Sequence, residues 1–143
     1  MLDREGIPFA LIGALAMRHR GFVRHTEDID ILTTREGLDR IHERIIGLGI
    51  VPRAQGLRKR LRHTVYKVDI DVIQAGENAG ANDSPLLFPD PRSDAFVDEG
   101  GLRIPTLETL IQLKLCSGIW GHRLGDLADV IRLIRANALA ESF

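Results

Sequence analysis

The chain has little of what marks a secreted, disulfide-bonded or membrane protein. Its single cysteine, Cys116, cannot form a disulfide within the chain, which fits a reducing compartment. No apolar run approaches the roughly 20 residues that a membrane-spanning helix needs, and the first residues lack the apolar core of a signal peptide. We therefore expect a cytoplasmic protein that does not enter a membrane.

Aromatic residues are also few, at 5%, and the net charge is only −1. A nearly neutral chain favours no class of partner through its bulk charge. The apolar fraction of 44% is ordinary for a globular protein, and 143 residues suit one compact domain. We predict a single domain over 1–143, with a core over about 7–105 and a helical C-terminal part over about 106–136.

The spacing of apolar residues predicts an α/β (α+β) chain, with a mixed β-sheet, flanking helices and two C-terminal helices. Strands are predicted over 8–12, 28–32, 50–52, 64–73, 95–97 and 102–104. Helices are predicted over 13–19 and 35–47, and then from Thr106 and from about Arg123. The stretch 74–100 is rich in Gly, Asn, Asp, Ser and Pro, which is typical of a long surface connection.

Two pairs of aspartates alternate with apolar residues along predicted strands. Asp28 and Asp30 form one pair, and Asp69 and Asp71 form the other. Residues two apart on a strand share a face, so neighbouring strands would gather up to four carboxylates. Without a cation such a cluster would raise the carboxylate pKa values and destabilise the fold. Because all the ligands are oxygens, Mg²⁺ or Mn²⁺ is favoured over zinc.

The order of these motifs resembles the nucleotidyltransferase superfamily with the DNA polymerase beta-like fold, and within it the small prokaryotic members related to the AbiEii-type toxin group. The resemblance rests on a strand followed by Gly13-Ala14, then on His19, Gly21, Arg24, Thr26 and Asp28-Ile29-Asp30. It continues in the C-terminal LETLIQLKL and RLGDLADVIRLI segments and covers about 7–135. Ala14 stands where the family has Gly or Ser.

The resemblance implies a metal-dependent transfer of a nucleoside monophosphate from an NTP, such as ATP, to an acceptor hydroxyl. Asp28, Asp30 and Asp71 would be both the catalytic residues and the ligands of Mg²⁺ or Mn²⁺. Asp69 lies on the same predicted face and is the alternative third carboxylate. In the family, two carboxylates hold the metals and the third is the general base.

The same resemblance implies which residues bind the nucleotide and which support them. The nucleotide-binding residues would be Gly13, Ala14, Arg24, Thr26 and Lys114, with Asp126 and Asp129 positioning Lys114. Two of these residues have equally ordinary structural interpretations. Lys114 could be a surface lysine on an otherwise apolar helix, and Arg24 could pair with an acidic neighbour.

A basic block precedes the second aspartate pair, with Arg53 at its start and then Arg58, Lys59, Arg60 and Arg62. It is either a solvated hairpin or an electrostatic contact to RNA or a polyphosphate. No aromatic residue is interleaved with it, so base stacking is not expected there.

The sequence leaves the acceptor open among a protein, a tRNA and a small molecule. A chain this short has no second large domain to select a substrate, so we expect a homo-oligomer or a partner protein to complete the cleft. A toxin–antitoxin or defence role follows only from the resemblance. The alternative function is a degenerate, non-catalytic nucleotide- or partner-binding module, and a nuclease or phosphohydrolase using the same carboxylates is a third.

Overall fold

The computed structural model describes residues 1–137. A short 3₁₀ turn, Asp3–Glu5, precedes a five-stranded sheet of order β1-β2-β5-β4-β3, and β6 and β7 form a separate two-stranded sheet. The strands are β1 Phe9–Ile12, β2 Asp28–Thr33, β3 Ile50–Pro52, β4 Arg60–His63, β5 Asp69–Gln74, β6 Phe96–Glu99 and β7 Leu102–Pro105. The helices are α1 Gly13–His19, α2 Arg35–Arg44, α3 Leu107–Trp120 and α4 Leu124–Ala136.

One parallel pairing makes the five-stranded sheet mixed. β2 and β5 run parallel at its centre, while β1 pairs with β2, β5 with β4 and β4 with β3 in antiparallel fashion. A parallel neighbour needs a long crossover connection, and here α2 and the β3–β4 hairpin supply it. The predicted mixed sheet with flanking helices and two C-terminal helices is confirmed.

Helices α2 and α3 begin where the sequence carries capping residues. Thr34 and Thr106 accept hydrogen bonds through their side-chain oxygens from the backbone N–H of Gly37 and Thr109, at 2.9 and 3.2 Å. Each bond satisfies one of the N–H groups that a helix leaves unpaired in its first turn. Thr106 was predicted to cap α3, and it does.

Apolar side chains on the two faces of the sheet enter different clusters. Ile31, Leu61 and Val72 point to one face and pack with Leu38 and Ile41 of α2 in the larger cluster. On the other face, a smaller cluster forms at one end of the sheet around Ala10, Ile12, Leu32 and Phe96. The remaining end of that face carries the aspartates instead, so it is free of core packing.

The prediction of a strand over 64–73 is wrong for its first half. Residues 64–67 form a turn, and β5 begins only at Asp69. His63 causes the turn, because its Nδ1 accepts the backbone N–H groups of Val65 and Tyr66, and Lys67 then adopts a left-handed φ of 56°. The resulting hairpin makes Arg60–His63 a strand, which was not predicted. Helix α2 also ends at Arg44, earlier than the predicted 47.

The connection between β5 and β6 is held against the rest of the fold. Its glycine Gly80 lies against the end of α3, and a Cβ at this position would be 2.6 Å from the carbonyl oxygen of Cys116. Gly80 also has a left-handed φ of 98°, which side chains other than glycine rarely adopt. The predicted short strand within this stretch is present as β6.

Within residues 1–137, no helix is both long and apolar enough to span a bilayer.

The packing of α4 yields a paired stability prediction. Leu133 is fully buried, whereas Ile131 on the same helix is 52% exposed. We expect Leu133→Ala to lower the free energy of unfolding by about 2–5 kcal/mol, because it leaves a cavity. Ile131→Ala should change it by less than about 0.5 kcal/mol. Urea denaturation followed by circular dichroism measures both, and equal losses would contradict the described packing.

Candidate active site

The register of the sheet places the aspartates in two rows across neighbouring strands. Asp30 of β2 pairs with Asp71 of β5, and Asp28 pairs with Asp69. Paired residues of adjacent strands point to the same face, about 4.8 Å apart. The four aspartates therefore lie on the face that the core leaves open, as their spacing in the sequence suggested.

Three of these four aspartates form one wall of a cleft of about 370 Å³ between the sheet and the C-terminal helices. Its acidic residues are Asp28, Asp30, Asp71 and Asp126, and its basic residues are Arg24, Lys114 and Arg123. The apolar part of the lining includes Ile12, Ile73, Phe88, Leu110 and Leu113. Asp69 does not line the cleft, although it shares the face. A cleft with both charge signs and an apolar side suits a metal-bound nucleotide better than an uncharged ligand.

Gly13 closes the cleft where β1 turns into α1. Its φ of 71° is left-handed, and a Cβ on this residue would overlap the carboxylate oxygen Oδ2 of Asp30. Glycine is therefore required both by the backbone and by the approach to Asp30. Ala14, in contrast, is an ordinary first-turn residue of α1 with a buried side chain, so alanine at this position leaves the turn intact. The α1 backbone N–H groups at this turn are available to an anion.

Asp28 and Asp30 are not neutralised by neighbouring protein groups. Within residues 1–137, neither side chain has a hydrogen-bond or ion-pair partner. Burial raises the pKa of Asp30 above its ordinary value of 3.8, and the carboxylates of Asp71 and Asp28 raise it further, against the lowering effect of Lys114 and Arg123. A carboxylate with such a pKa gains from a nearby cation.

Arg53 neutralises the other aspartate pair. Its guanidinium donates to Asp69 Oδ2 at 3.1 Å and to Asp71 Oδ1 at 2.6 Å. Arg62 adds a longer ion pair to Asp69 at 3.4 Å. Asp69 is thus held between two arginines, away from the cleft. Asp71 keeps its second oxygen, Oδ2, outside the contact with Arg53.

The donor set fits a magnesium-type ion that brings other ligands with it. Within residues 1–137, no three carboxylate, imidazole or thiol groups stand close enough to enclose a metal by themselves. Mg²⁺ is usually held by one or two carboxylates, waters and substrate phosphates, not by a complete protein cage. Asp28 and Asp30 supply two adjacent carboxylates without protein partners, and Asp71 borders them. These residues could hold a divalent ion together with a triphosphate.

Lys114 is buried at the back of the cleft, so it is not the surface lysine that one interpretation of the sequence suggested. Its Nζ donates to Asp126 Oδ1 at 3.0 Å and to Asp129 Oδ2 at 2.9 Å. An ammonium group has three donors, and these bonds use two. The third is left for an anion in the cleft.

Asp129 joins Lys114 to the segment that precedes β2. It is fully buried, and Arg24 Nη1 donates to both of its oxygens at 2.9 and 2.8 Å. Arg132 also contacts it, at 3.2 Å. Arg24 therefore has the acidic partner that the sequence left as one of two options, and it lines the cleft as well.

Asp126 forms the second half of this network. Burial raises its pKa, but a 2.7 Å hydrogen bond from the Ser117 hydroxyl and the charge and hydrogen bond of Lys114 outweigh burial, so its pKa lies below the ordinary value. It stays ionised and holds Lys114 in place. Thr26 has a local role at the cleft entrance, where its hydroxyl bonds the carbonyl and N–H of Asp28 at 3.1 and 3.3 Å.

Comparison with known proteins identifies the architecture. No protein-family model matches the sequence, and no curated protein matches it. Among solved structures, the crystal structure of ANT(2″)-Ia with adenylyl-2″-tobramycin has a TM-score of 0.59 at 16% identity, covering 98% of this chain and 84% of that one. The solution structure of this antibiotic-resistance factor gives 0.58 at 18% identity, covering 96% and 77%.

A Thermotoga maritima protein to which nucleotidyltransferase activity has been attributed gives a TM-score of 0.54 at 22% identity, covering 92% of this chain and 83% of that one. The chain has the nucleotidyltransferase fold. At these identities the likeness establishes the fold alone. The AbiEii-type subgroup stays a prediction, and so do the roles of the site residues.

Within this nucleotidyltransferase fold, the basic block divides into two parts. Arg58 pairs with Asp39 at 2.7 Å, and Lys59 pairs with Glu77. Arg60 and Arg62 are instead paired in register with Asp71 and Asp69, on the aspartate face of the sheet. Both are exposed. A contact of these four residues to RNA or a polyphosphate stays a prediction.

Several residues of the site were missed by the sequence analysis. Arg53 was noted only as part of the basic block, because its contact depends on the hairpin that carries it over β5. Phe88 lies in a connection with no periodic pattern, so nothing in the sequence placed it at the cleft. Arg123 was predicted only as a possible ion-pair partner of the helical aspartates, and the structure adds that it lines the cleft. Ser117 had one usable signal, since it lies three residues after Lys114 on a helix.

The Gly13 turn gives a direct test of the site geometry. We expect Gly13→Ala to destabilise the protein by more than about 1 kcal/mol, because it adds backbone strain and a clash with Asp30. The matched control is Gly125→Ala in α4, where a Cβ meets nothing within 4 Å. That change should be neutral or stabilising. Thermal unfolding compares the two, and a neutral Gly13→Ala would refute the close approach.

The raised pKa of Asp30 predicts a pH-dependent stability difference. The folded state disfavours the ionised carboxylate, so wild type is penalised once the pH rises from 3.8 through the higher folded-state pKa. Asp30→Asn removes this penalty. We expect the variant to be more stable than wild type at pH 7 in EDTA, with the difference vanishing below about pH 3.8. Urea unfolding across this pH range checks the prediction, and a difference independent of pH would contradict it.

Proposed function

We propose that this protein transfers a nucleoside monophosphate from an NTP to an acceptor hydroxyl. The observation that carries the proposal is one cleft in which the unpaired carboxylates Asp28 and Asp30 face a buried lysine with a spare donor. The carboxylates suit a divalent cation, and the lysine suits phosphate oxygens. ATP is the NTP to test first, because one structure of the same fold holds an adenylylated compound.

The basic groups on the helical side would bind the triphosphate. Lys114 offers its third donor, and Arg24 uses one guanidinium nitrogen for Asp129 and keeps the others. Arg123 lines the cleft, and its side chain is 70% exposed. It can therefore change position to contact an anion that enters the cleft. Gly13 and Ala14 would contribute backbone N–H groups. The network around Asp129 holds these cations in place before the nucleotide arrives.

The chemistry is a substitution at the α-phosphorus. The acceptor oxygen forms a bond to it, the bond to the oxygen bridging the α- and β-phosphates breaks, and pyrophosphate leaves. The proton of the acceptor hydroxyl passes to a carboxylate of the cleft. We assign this role to Asp71, because its Oδ2 is outside the contact with Arg53 and it lines the cleft. Asp69 is enclosed by Arg53 and Arg62, which makes it the weaker candidate.

Mg²⁺ or Mn²⁺ would be held by Asp28 and Asp30, with Asp71 nearby. When bound, the ion would offset the charge of the triphosphate and lower the pKa of the acceptor hydroxyl. Asp30 is the residue with most to gain, because its carboxylate is buried beside two others.

The biological role of the protein and its partners are proposed from the sequence resemblance alone. A toxin–antitoxin or defence role, a relation to the AbiEii-type group, and a homo-oligomer or partner protein that completes the cleft are hypotheses on that basis. Val51, Arg60 and Arg62 on β3 and β4 are exposed, so an acceptor or a partner could approach on that side of the sheet. The prediction of one domain over 1–143 includes six residues, 138–143, that lie outside the described part of the chain.

The second candidate is a non-catalytic module that binds a nucleotide or a partner. The contact between Arg53 and Asp71 favours it, since a guanidinium already neutralises the third carboxylate. Such a module would bind an NTP without turning it over. Calorimetry with Mg²⁺–ATP therefore separates the two functions only in combination with an assay of transfer.

The decisive assay incubates the protein with Mg²⁺, each α-labelled NTP in turn, and total cellular RNA and protein. We expect a labelled product that Asp28→Asn, Asp30→Asn and Asp71→Asn each reduce by about a thousandfold or more. The matched control is Asp83→Asn, an exposed aspartate outside the cleft, which should leave the yield unchanged. Asp69→Asn should reduce the yield less than Asp71→Asn does, and the reverse order would reassign the third carboxylate.

Measuring nucleotide binding shows whether a variant that loses transfer has also lost its fold or its binding site. Each asparagine variant should remain folded by circular dichroism and should still bind an NTP through Lys114 and Arg24. Binding of Mg²⁺–NTP without any labelled product from the wild-type protein would support the non-catalytic module. Release of labelled NMP or RNA breakdown without transfer would instead support a phosphohydrolase or nuclease.

A further inference from the structure

One arginine reaches the aspartates from the outer edge of the sheet. Arg53 directly follows β3, and its backbone N–H donates to the carbonyl of Arg60 on β4 at 2.9 Å. Arg60 is in turn paired in register with Asp71 of β5. The Arg53 side chain therefore extends across β4 to Asp69 and Asp71, while its backbone is hydrogen-bonded into the hairpin. A change in this contact needs only a rotation of the arginine side chain.

The polar atoms of this contact are only partly satisfied. The two terminal nitrogens of Arg53 each donate to one aspartate. Within residues 1–137, however, the buried Nε of Arg53 has no hydrogen-bond partner, and neither has the buried Oδ1 of Asp69. Buried polar atoms without partners cost free energy. The contact is therefore less favourable than a fully bonded pair of an arginine and a carboxylate, and exchanging part of it costs less.

The two carboxylates that Arg53 contacts have different surroundings. Asp71 lines the cleft with Asp28 and Asp30, whereas Asp69 does not line it. A divalent cation at Asp28 and Asp30 would attract the Asp71 carboxylate and would repel the guanidinium bonded to it, because both groups are positively charged. Asp69 is then the carboxylate on which Arg53 can remain. This gives the fourth aspartate of the face a role that the three cleft aspartates do not fill.

We propose that Arg53 opposes the binding of a divalent cation by holding Asp71, and that Asp69 retains Arg53 when the cation attracts Asp71. Arg53 is thus a positioning residue, which acts on the cation through Asp71, and the two contacts are negatively coupled. The inference rests on the metal site of the proposed function and adds a residue that regulates this site. The contact of Arg53 with Asp71 is then a reversible restraint, not a permanent neutralisation.

The first test measures cation binding without nucleotide and without transfer. The probe is Mn²⁺ alone, and the readout is the electron paramagnetic resonance signal of free Mn²⁺ during titration with protein. We expect Arg53→Gln and Arg53→Met each to bind Mn²⁺ about tenfold more tightly than wild type, because Asp71 is released. The matched control is Arg60→Gln, which removes an exposed arginine that has no ion pair within residues 1–137. It should change the affinity by less than about twofold.

Three results would overturn the proposal. An equal gain in Arg60→Gln would show that any positive charge on this face opposes the cation. Unchanged Mn²⁺ affinity in the Arg53 variants, or no binding of Mn²⁺ by them, would show that Arg53 does not restrain Asp71. Unfolding of both Arg53 variants, seen by circular dichroism, would make the contact structural. If only one of them folds, that variant decides.

The role of Asp69 is tested by a double-mutant cycle. In the wild-type background, Asp69→Asn should weaken Mn²⁺ binding about threefold, because Arg53 then keeps Asp71 as its only carboxylate partner. In the Arg53→Gln background the same change should have almost no effect, because no guanidinium is left for Asp69 to retain. Equal losses in the two backgrounds would mean that Asp69 acts through its charge alone, and would overturn its role in retaining Arg53.

The transfer assay separates this inference from the proposed function. With Arg53→Gln, the Mg²⁺ concentration that gives half the maximal rate should fall about tenfold, and the maximal rate should not rise. A labelled product with an unchanged Mg²⁺ dependence overturns the inference and leaves nucleotidyl transfer standing. The expected gain in Mn²⁺ affinity without any labelled product contradicts the proposed function, and it leaves Arg53 as the regulator of a cation site in a binding module.

Discussion

Repulsion between carboxylates on two parallel strands is the constraint to which the rest of the site responds. The pairing of β2 with β5 brings Asp28, Asp30, Asp69 and Asp71 together on one face. Arg53 and Arg62 neutralise one pair from the β3–β4 hairpin. The other pair keeps its charge uncompensated, and Gly13 gives it room by having no side chain. Within the described residues, this division leaves two carboxylates without protein partners in the lining of the cleft.

A second set of charges, on the helical side, is held in place by contacts within the protein. Asp129 and Asp126, which are both buried, hold Lys114, Arg24 and Arg132 in one polar network that has three positive charges and two negative ones. Such a network is costly to break, because losing one partner leaves a buried charge unpaired. It ties α3, α4 and the segment before β2 into one rigid support. The sheet side of the cleft therefore lacks positive charge, whereas Lys114 and Arg24 on the helix side keep hydrogen-bond donors that no described protein group uses.

Much of the fold was predictable because its signals are local. The alternation in DIDIL and DIDVI, the capping residues Thr34 and Thr106, and Gly13 after a buried strand each depend on a few neighbouring residues. The second half of the site was not predictable in the same way. The contacts of Arg53 with Asp71, and of Asp129 with Arg24, join residues 18 and 105 positions apart. The hairpin at His63 was missed because a side-chain nitrogen, not glycine or proline, makes the turn.

The strict alternation of acidic and apolar residues in β2 and β5 also fixes how the strands pair. If β2 slipped by one residue against its neighbours, Asp28 and Asp30 would enter the core beside Leu61 and Val72, and Ile29 and Ile31 would face water. Burying two unpaired carboxylates is far costlier than any hydrogen bond that such a slip could keep. The aspartates of β2 and β5 destabilise the folded state through their mutual repulsion. The same aspartates thus exclude the misregistered states that would compete with the folded state during folding.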